Sequence, residues 1–303
     1  MASGSASASK VYLDASQQPE FYVKGLTVES AEKTSELLQV NHEKHHIFFN
    51  NSGFHVRRRY LRYKYNIHNL TRRQNHIAHH LLTLFALNAS PAEIQKGYDD
   101  NVSYQRPPEP LKESIVEDMH QPDRFKTYLG KEKYYHDFLV FFRKEIEAKS
   151  WQNVLNEYLF ANDERSNDML ARLYAGFLHP IIHLGFGIEF QQPAIIAEAL
   201  AQTAVHDSWM EPLFLGCEKA AEANRGRDEP KKTIVQLLEE AKNNEKLRNA
   251  PRFEDGNKIR DGIMKRAPEE MIRIASQYTV EEDELEEKTA EMINAAGKSL
   301  THI

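Results

Sequence analysis

Cys217 is the only cysteine in a chain of 303 residues. That excludes an intramolecular disulfide and any zinc site built on several thiolates, and it fits a reducing, cytoplasmic setting. Apolar runs are short, and none approaches the roughly 18 residues that a membrane-crossing helix needs. Excess positive charge is missing as well. With 39 Lys and Arg against 45 Asp and Glu the formal charge is −6, so bulk electrostatics favour neither nucleic acid nor an anionic membrane. Runs with two-residue alternation and β-branched enrichment are absent, which argues against a sheet. Gly185-x-Gly187 lacks a third glycine and lies in no strand–helix turn, so there is no dinucleotide fingerprint. Neither a P-loop nor a nucleophile elbow is present.

What the chain does have is helix signal, and the expected fold class is all-α, a single large helical domain. Thr27 can cap a helix running through SAEKTSELLQVNHEKHHIF, with Ala31, Leu38 and His45 on one stripe. NHIAHHLLTLFAL is helical by period. Ser90-Pro91-Ala92-Glu93 after it is a capping box with proline at the first helical position. Pro193 and Pro268 open two further helices, and Thr279 with Glu282 predicts a capping box before a last helix ending near Gly297. The opening MASGSASAS has neither a basic n-region nor an apolar h-region, and residues 1–19 read as a disordered tail rather than a secretory signal. The charged stretch at 224–232 reads equally well as a subdomain boundary or a surface loop.

Residues 167–190, NDMLARLYAGFLHPIIHLGFGIEF, are apolar on every face from Met169 to Phe190, which predicts a buried central helix. Pro180 lies inside it. A proline there leaves the carbonyl four residues back, that of Gly176, without its usual donor and predicts a kink.

Histidine is abundant, with fourteen copies. Two histidines four apart on a helix share a face and can chelate one ion. His42/His46, His76/His80 and His179/His183 have that spacing, where chance alone gives about 0.6 such pairs. His42/His46 sits among Lys and Glu and reads as a partly solvated face. His76/His80, with His79 beside it, is as compatible with capped or packed histidines as with ligands. His179/His183 stands in an apolar segment, where each imidazole needs a partner, either a metal ion or a buried acceptor. Glu189 is a candidate carboxylate behind that pair, or one half of a buried salt bridge. Imidazole-rich sites suit iron, copper, nickel or zinc. Cys217 reads as a small packed residue rather than a nucleophile.

Several stretches, in order, resemble the questin oxidase-like family, which includes oxidases of fungal aromatic polyketide pathways. They are ELLQVNHEKHHIFFNNSGFH, NHIAHHLLTLFALNASPAEIQKGYDDN, YQRPPEP, LGKEKYYHDFLVFF, LNEYLF, AGFLHPIIHLGFGIEFQQPAIIAEALAQ and EDGNKIRDGIMKRAPEEMIRIAS. The resemblance covers residues 20–55 and 75–296. It implies an oxidoreductase that uses dioxygen on a polycyclic, anthraquinone-like aromatic ketone, by Baeyer–Villiger-type oxygen insertion or ring cleavage in secondary metabolism. It also implies either NADPH or a histidine-bound non-haem iron, and the missing dinucleotide fingerprint favours iron. The metal role carries over to His76 and His179 first, then to His183 and His80, with His55 as a further candidate.

Two departures from the family stand out. The family reads straight through GFHNHIAHH, whereas here residues 56–74, VRRRYLRYKYNIHNLTRRQ, intervene with seven Lys and Arg and no acid. The expectation is an in-frame retained intron, with a basic nucleic-acid arm as the competing reading. The chain also stops at KSLTHI, short of a segment that in the family brings another histidine to the site. A truncated, catalytically inactive helical protein is therefore the alternative reading.

Overall fold

A computed structural model describes residues 5–49, 74–226 and 230–300, with the side chains of 298–300 left aside. Among them there is no strand, only isolated bridges at Ser7–Lys10 and Phe48–Gln74, so the all-α expectation stands. The helices fall into two compact units, Met1–Ser208 and Trp209–Ile303. The division lies at residue 208 rather than in the 224–232 stretch.

The first unit carries α1 (Val28–Lys44), α2 (Ile77–Ala86), α3 (Pro91–Val102), α4 (Glu113–Asp118), α5 (Pro122–Tyr128) and α6 (Tyr135–Lys149). They are followed by α7 (Trp151–Leu155), which runs into a π turn at Asn156–Phe160, then α8 (Glu164–Leu173), α9 (Ala175–Glu189) and α10 (Pro193–Val205). The caps explain several starts. Thr27 accepts from Ser30 N–H to begin α1, and the Ser90/Glu93 capping box with Pro91 begins α3. Pro193 stands in the first turn of α10, where its missing N–H costs nothing. α1 ends at Lys44 with His45 as its cap, sooner than the apolar stripe suggested.

The buried central helix is α10. Every residue from Ala194 to Val205 is buried, and its alanines let α6 and α9 approach closely. Phe138, Phe141 and Phe142 of α6 pack with Phe125 and Tyr158 into an aromatic core. Leu38, Ile77, Leu81 and Phe85 close a second core between α1, α2 and α3. At Gly187 an added Cβ would lie 2.9 Å from the backbone nitrogen of Ile196, so α9 and α10 cross in near-backbone contact.

α9 departs from the buried helix expected over 167–190. The kink is real, but it is a break: Gly176, Phe177 and Leu178 all have left-handed backbone angles. Beyond it one side faces out, with Phe177 92% exposed and Leu178, Ile182 and Ile188 also exposed. The N-terminal segment is another correction. Ala8, Val11 and Leu13 are buried, and Gln192 grips Tyr12 by both its N–H and its carbonyl, so residues 8–13 are packed rather than a loose tail.

The second unit carries α11 (Glu211–Asn224), α12 (Ile234–Asn243), α13 (Glu245–Asn249), α14 (Pro268–Ala275) and α15 (Leu285–Leu300). Its small core is Leu237, Leu247, Ala250, Ala267 and Ile274. Pro268 opens α14 as expected. The box before α15 is formed by Glu281 and Glu284 around a 3-10 turn, not by Thr279 and Glu282. Cys217 on α11 is half-buried, and burial pushes its thiol pKa up, consistent with a packed residue.

Candidate active site

α2 and α9 each present two imidazoles to the other, and they meet as two rungs. His76 Nε2 lies 2.8 Å from His179 Nε2, and His79 Nε2 lies 3.0 Å from His183 Nδ1. Ring centroids are 4.9 Å apart in the first rung and 5.0 Å in the second, and Phe186 stacks on His79 at 5.3 Å. The cluster is graded in depth: His76 is exposed, His79 and His179 are half-buried, and His183 is buried.

Asn75 sets the start of α2. Its Oδ1 accepts from Ile77 N–H, its Nδ2 donates to Asn41 Oδ1, and its own N–H donates to the Ile47 carbonyl. His76 therefore precedes the helix, with non-helical angles of φ −102 and ψ 4. This is why the four-residue spacing of His76/His80 misled. His80 turns away and meets Asn101 Nδ2 at 3.2 Å, while His79 takes the place beside His183.

Acceptor-only partners fix two of the tautomers. His179 Nδ1–H donates to the Gly176 carbonyl at 2.6 Å, leaving the Nε2 lone pair facing His76. That carbonyl is the one Pro180 cannot reach, so the proline frees an acceptor and the neighbouring histidine uses it. His183 Nε2–H donates to Glu198 Oε2 at 2.8 Å, leaving the Nδ1 lone pair facing His79. Glu198 Oε1 accepts from His42 Nδ1–H at 2.6 Å.

Electrostatics disfavour the charged form of three of the four imidazoles. Burial lowers the pKa of His76, His79 and His179, and neighbouring imidazoles depress His76 and His79 further, His79 to about 2. Burial alone would raise the Glu198 carboxyl, but hydrogen bonds from His183 and His42 hold it at about 2.

Other expectations fare differently. His42 and His46 are both buried, not on a solvated face; His42 backs the site through Glu198, and His46 stands 3.1 Å from Glu109 elsewhere. Glu189 does not back the histidine pair: its Oε1 accepts from Phe21 N–H at 3.4 Å, and Glu198 fills the role. A lone charge within PAIIAEALAQTAV was the signal that could have found Glu198, since a carboxylate in so apolar a helix demands partners. His55 and all but the last residue of the 56–74 stretch lie outside the described residues. Gln74 itself is buried, accepts from Gln202 Nε2 and donates to His206 Nε2. A groove of about 460 Å³ between residues 10–15 and α1 contains no histidine.

Imidazole donors with the opposite nitrogen held by a carbonyl or a carboxylate suit a bound iron, copper, nickel or zinc ion alike. Among the described residues, however, no three His, Cys, Asp or Glu side chains converge as ligands of one ion; the imidazoles meet in pairs. The same residues also lie where relatives match. A family model described as questin oxidase-like matches residues 73–301. The Baeyer-Villiger oxidase ptaJ of Pestalotiopsis fici is 41% identical over 267 residues, covering 88% of this chain and 55% of that protein. The Baeyer-Villiger monooxygenase dmxR6 of Cryptosporiopsis is 40% identical over 291 residues, 95% of this chain and 61% of its own. The questin oxidase of Aspergillus terreus is 36% identical over 296 residues, 96% of this chain and 61% of its own. This chain thus spans little more than half the length of these relatives, and by sequence it belongs to the questin oxidase-like family.

Proposed function

We propose that this chain carries the reactive site of an oxidoreductase that uses dioxygen on a polycyclic aromatic ketone, by Baeyer–Villiger-type insertion or ring cleavage. The convergence of His76 and His179 beside His79 and His183 is the observation that supports it. In this reading His76, His179 and His183 supply imidazoles to a non-haem iron, with His79 in the place expected for His80, and the two pairs must draw together to share one ion. A non-haem iron with open positions supplies the dioxygen chemistry that imidazoles alone lack.

The protein's own residues have separate tasks. Gly176 and Glu198 hold lone pairs of His179 and His183 toward the cluster. Phe177, exposed two residues before His179, offers a ring face on which a flat aromatic substrate can stack. Insertion of one oxygen atom consumes two reducing equivalents, and NADPH is the donor proposed for that route; cleavage that takes both atoms of dioxygen needs none.

The test is iron content and oxygen uptake with an anthraquinone-type ketone, with and without NADPH. The expected result is one iron per chain, lost in His76→Ala and His179→Ala together with turnover. Metal-free protein with full activity would reject the iron reading. Iron bound at full stoichiometry without turnover would favour the inactive alternative.

A further inference from the structure

We infer that Glu198 is a positioning residue: gripped by His42 on one side, its carboxylate holds His183 with its proton on Nε2, so that Nδ1 faces the imidazole cluster as a lone pair. The inference rests on the proposal that this cluster is the reactive site. It adds a residue pair, Glu198 and His42, that stands behind His183.

Four observations carry it. First, Glu198 is the one charged residue of α10, and the whole helix around it is buried. A carboxylate there is tolerable only with both oxygens satisfied. Second, both are: Oε1 by His42 Nδ1 at 2.6 Å and Oε2 by His183 Nε2 at 2.8 Å, with the Glu198 side chain 3% exposed. Third, an ionised carboxylate only accepts, so each histidine must present a proton to it. Fourth, His42 Nε2 is buried and has no hydrogen-bond partner among the described residues. A proton placed there would go unsatisfied, so the His42 proton stays on Nδ1. His42 therefore has one workable tautomer and acts as a fixed clamp on the carboxylate, which in turn fixes His183.

This arrangement makes a directional prediction. A carboxamide accepts on one side and donates on the other. In Glu198→Gln the oxygen must stay with His42, because His42 cannot move its proton to the unsatisfied Nε2. The amide nitrogen then faces His183, whose Nε2 becomes the acceptor and whose proton moves to Nδ1. The lone pair that faced the cluster is lost. Removing His42 as well lets the amide turn and restores it. A merely structural salt bridge predicts lower stability in each variant but no such reversal.

The experiment is nitrogen NMR on metal-free protein carrying ¹⁵N-labelled histidine, with the His183 signals identified by their loss in His183→Gln. The expected wild-type pattern for His183 is a protonated Nε2 and an unprotonated Nδ1. Glu198→Gln reverses it, while Glu198→Asp and the double variant His42→Leu/Glu198→Gln retain it. In parallel, Fe(II) affinity measured by anaerobic titration falls about 10- to 100-fold in Glu198→Gln and recovers in the double variant. A wild-type His183 protonated on Nδ1, or on both nitrogens, overturns the inference, with only the His183→Gln assignment control required to fold. An unchanged pattern in folded Glu198→Gln overturns it too. If the tautomers behave as stated but wild-type protein binds no iron, the positioning role stands and the iron reading falls.

Discussion

His76 Nε2 and His179 Nε2 stand 2.8 Å apart although 103 residues separate them in the chain. One belongs to the entry of α2 and the other to the turn after the α9 break, and the packing of α2 on α9 brings them together. The pair is held from both sides, by Asn75 anchoring the start of α2 and by the Gly176 carbonyl anchoring His179.

His80→Ala separates the observed cluster from the spacing rule. Iron affinity in this variant should stay within a few-fold of wild type, since His80 faces Asn101 and Gly97. In His79→Ala it should fall by at least the roughly 10-fold that loss of an outer-shell partner costs. Equal losses in both variants, measured by iron titration, would contradict the rungs.

Gly176→Ala should destabilise the protein by about 1–2 kcal/mol from the left-handed backbone alone. The cost should be higher in practice, because the new Cβ would lie 2.5 Å from His206 Nε2. Urea denaturation reads the stability. Weaker iron binding in the folded fraction would accompany it, since the carbonyl that orients His179 must shift.

Gly187→Ala probes the crossing of α9 on α10. The neighbour that a Cβ meets at 2.9 Å is backbone, which cannot swing aside. Overpacking of this kind costs about 1–3 kcal/mol. A change below about 0.5 kcal/mol in urea denaturation would mean that the helices sit further apart than described.

Acid lability should come in two stages at the His46–Glu109–Arg106 cluster. Burial, the largest effect, lowers the His46 pKa below its usual 6.5, so its share of stability is complete above 6.5 and declines as pH falls below it. Burial works to raise the Glu109 carboxyl, but hydrogen bonds from His46 and Arg106 bring it down to about 2. Its share is complete above the usual 4.5 and is lost as pH falls toward 2. Thermal melts across pH 8 to 3 should therefore show Glu109→Gln with a flatter decline below about 4.5 than wild type. Parallel curves would remove Glu109 from the account.

Fold class was legible because helix signals are local. The Ser90/Glu93 box and the prolines at 91, 193 and 268 name helix starts without reference to anything distant. Burial was less legible. α9 and α10 are both predominantly apolar, and hydropathy chose the wrong one as the buried helix, because which apolar face meets solvent depends on what packs against it. The same limit hid the packed N-terminal segment, whose partner Gln192 lies 180 residues from Tyr12.

By itself the sequence determined that this is a helical chain with an excess of histidine in two distant segments, and its segments in order marked the family. The helical character and the histidine excess follow from composition and short-range spacing, whereas the family follows from the likeness of whole segments. Only the tertiary structure decided that His79 and not His80 joins the cluster, that Glu198 and not Glu189 stands behind it, and that His42 clamps that carboxylate from 156 residues away. Ring orientation depends on where a helix begins and which acceptor meets the far nitrogen, and both are set by contacts between segments that no local pattern encodes.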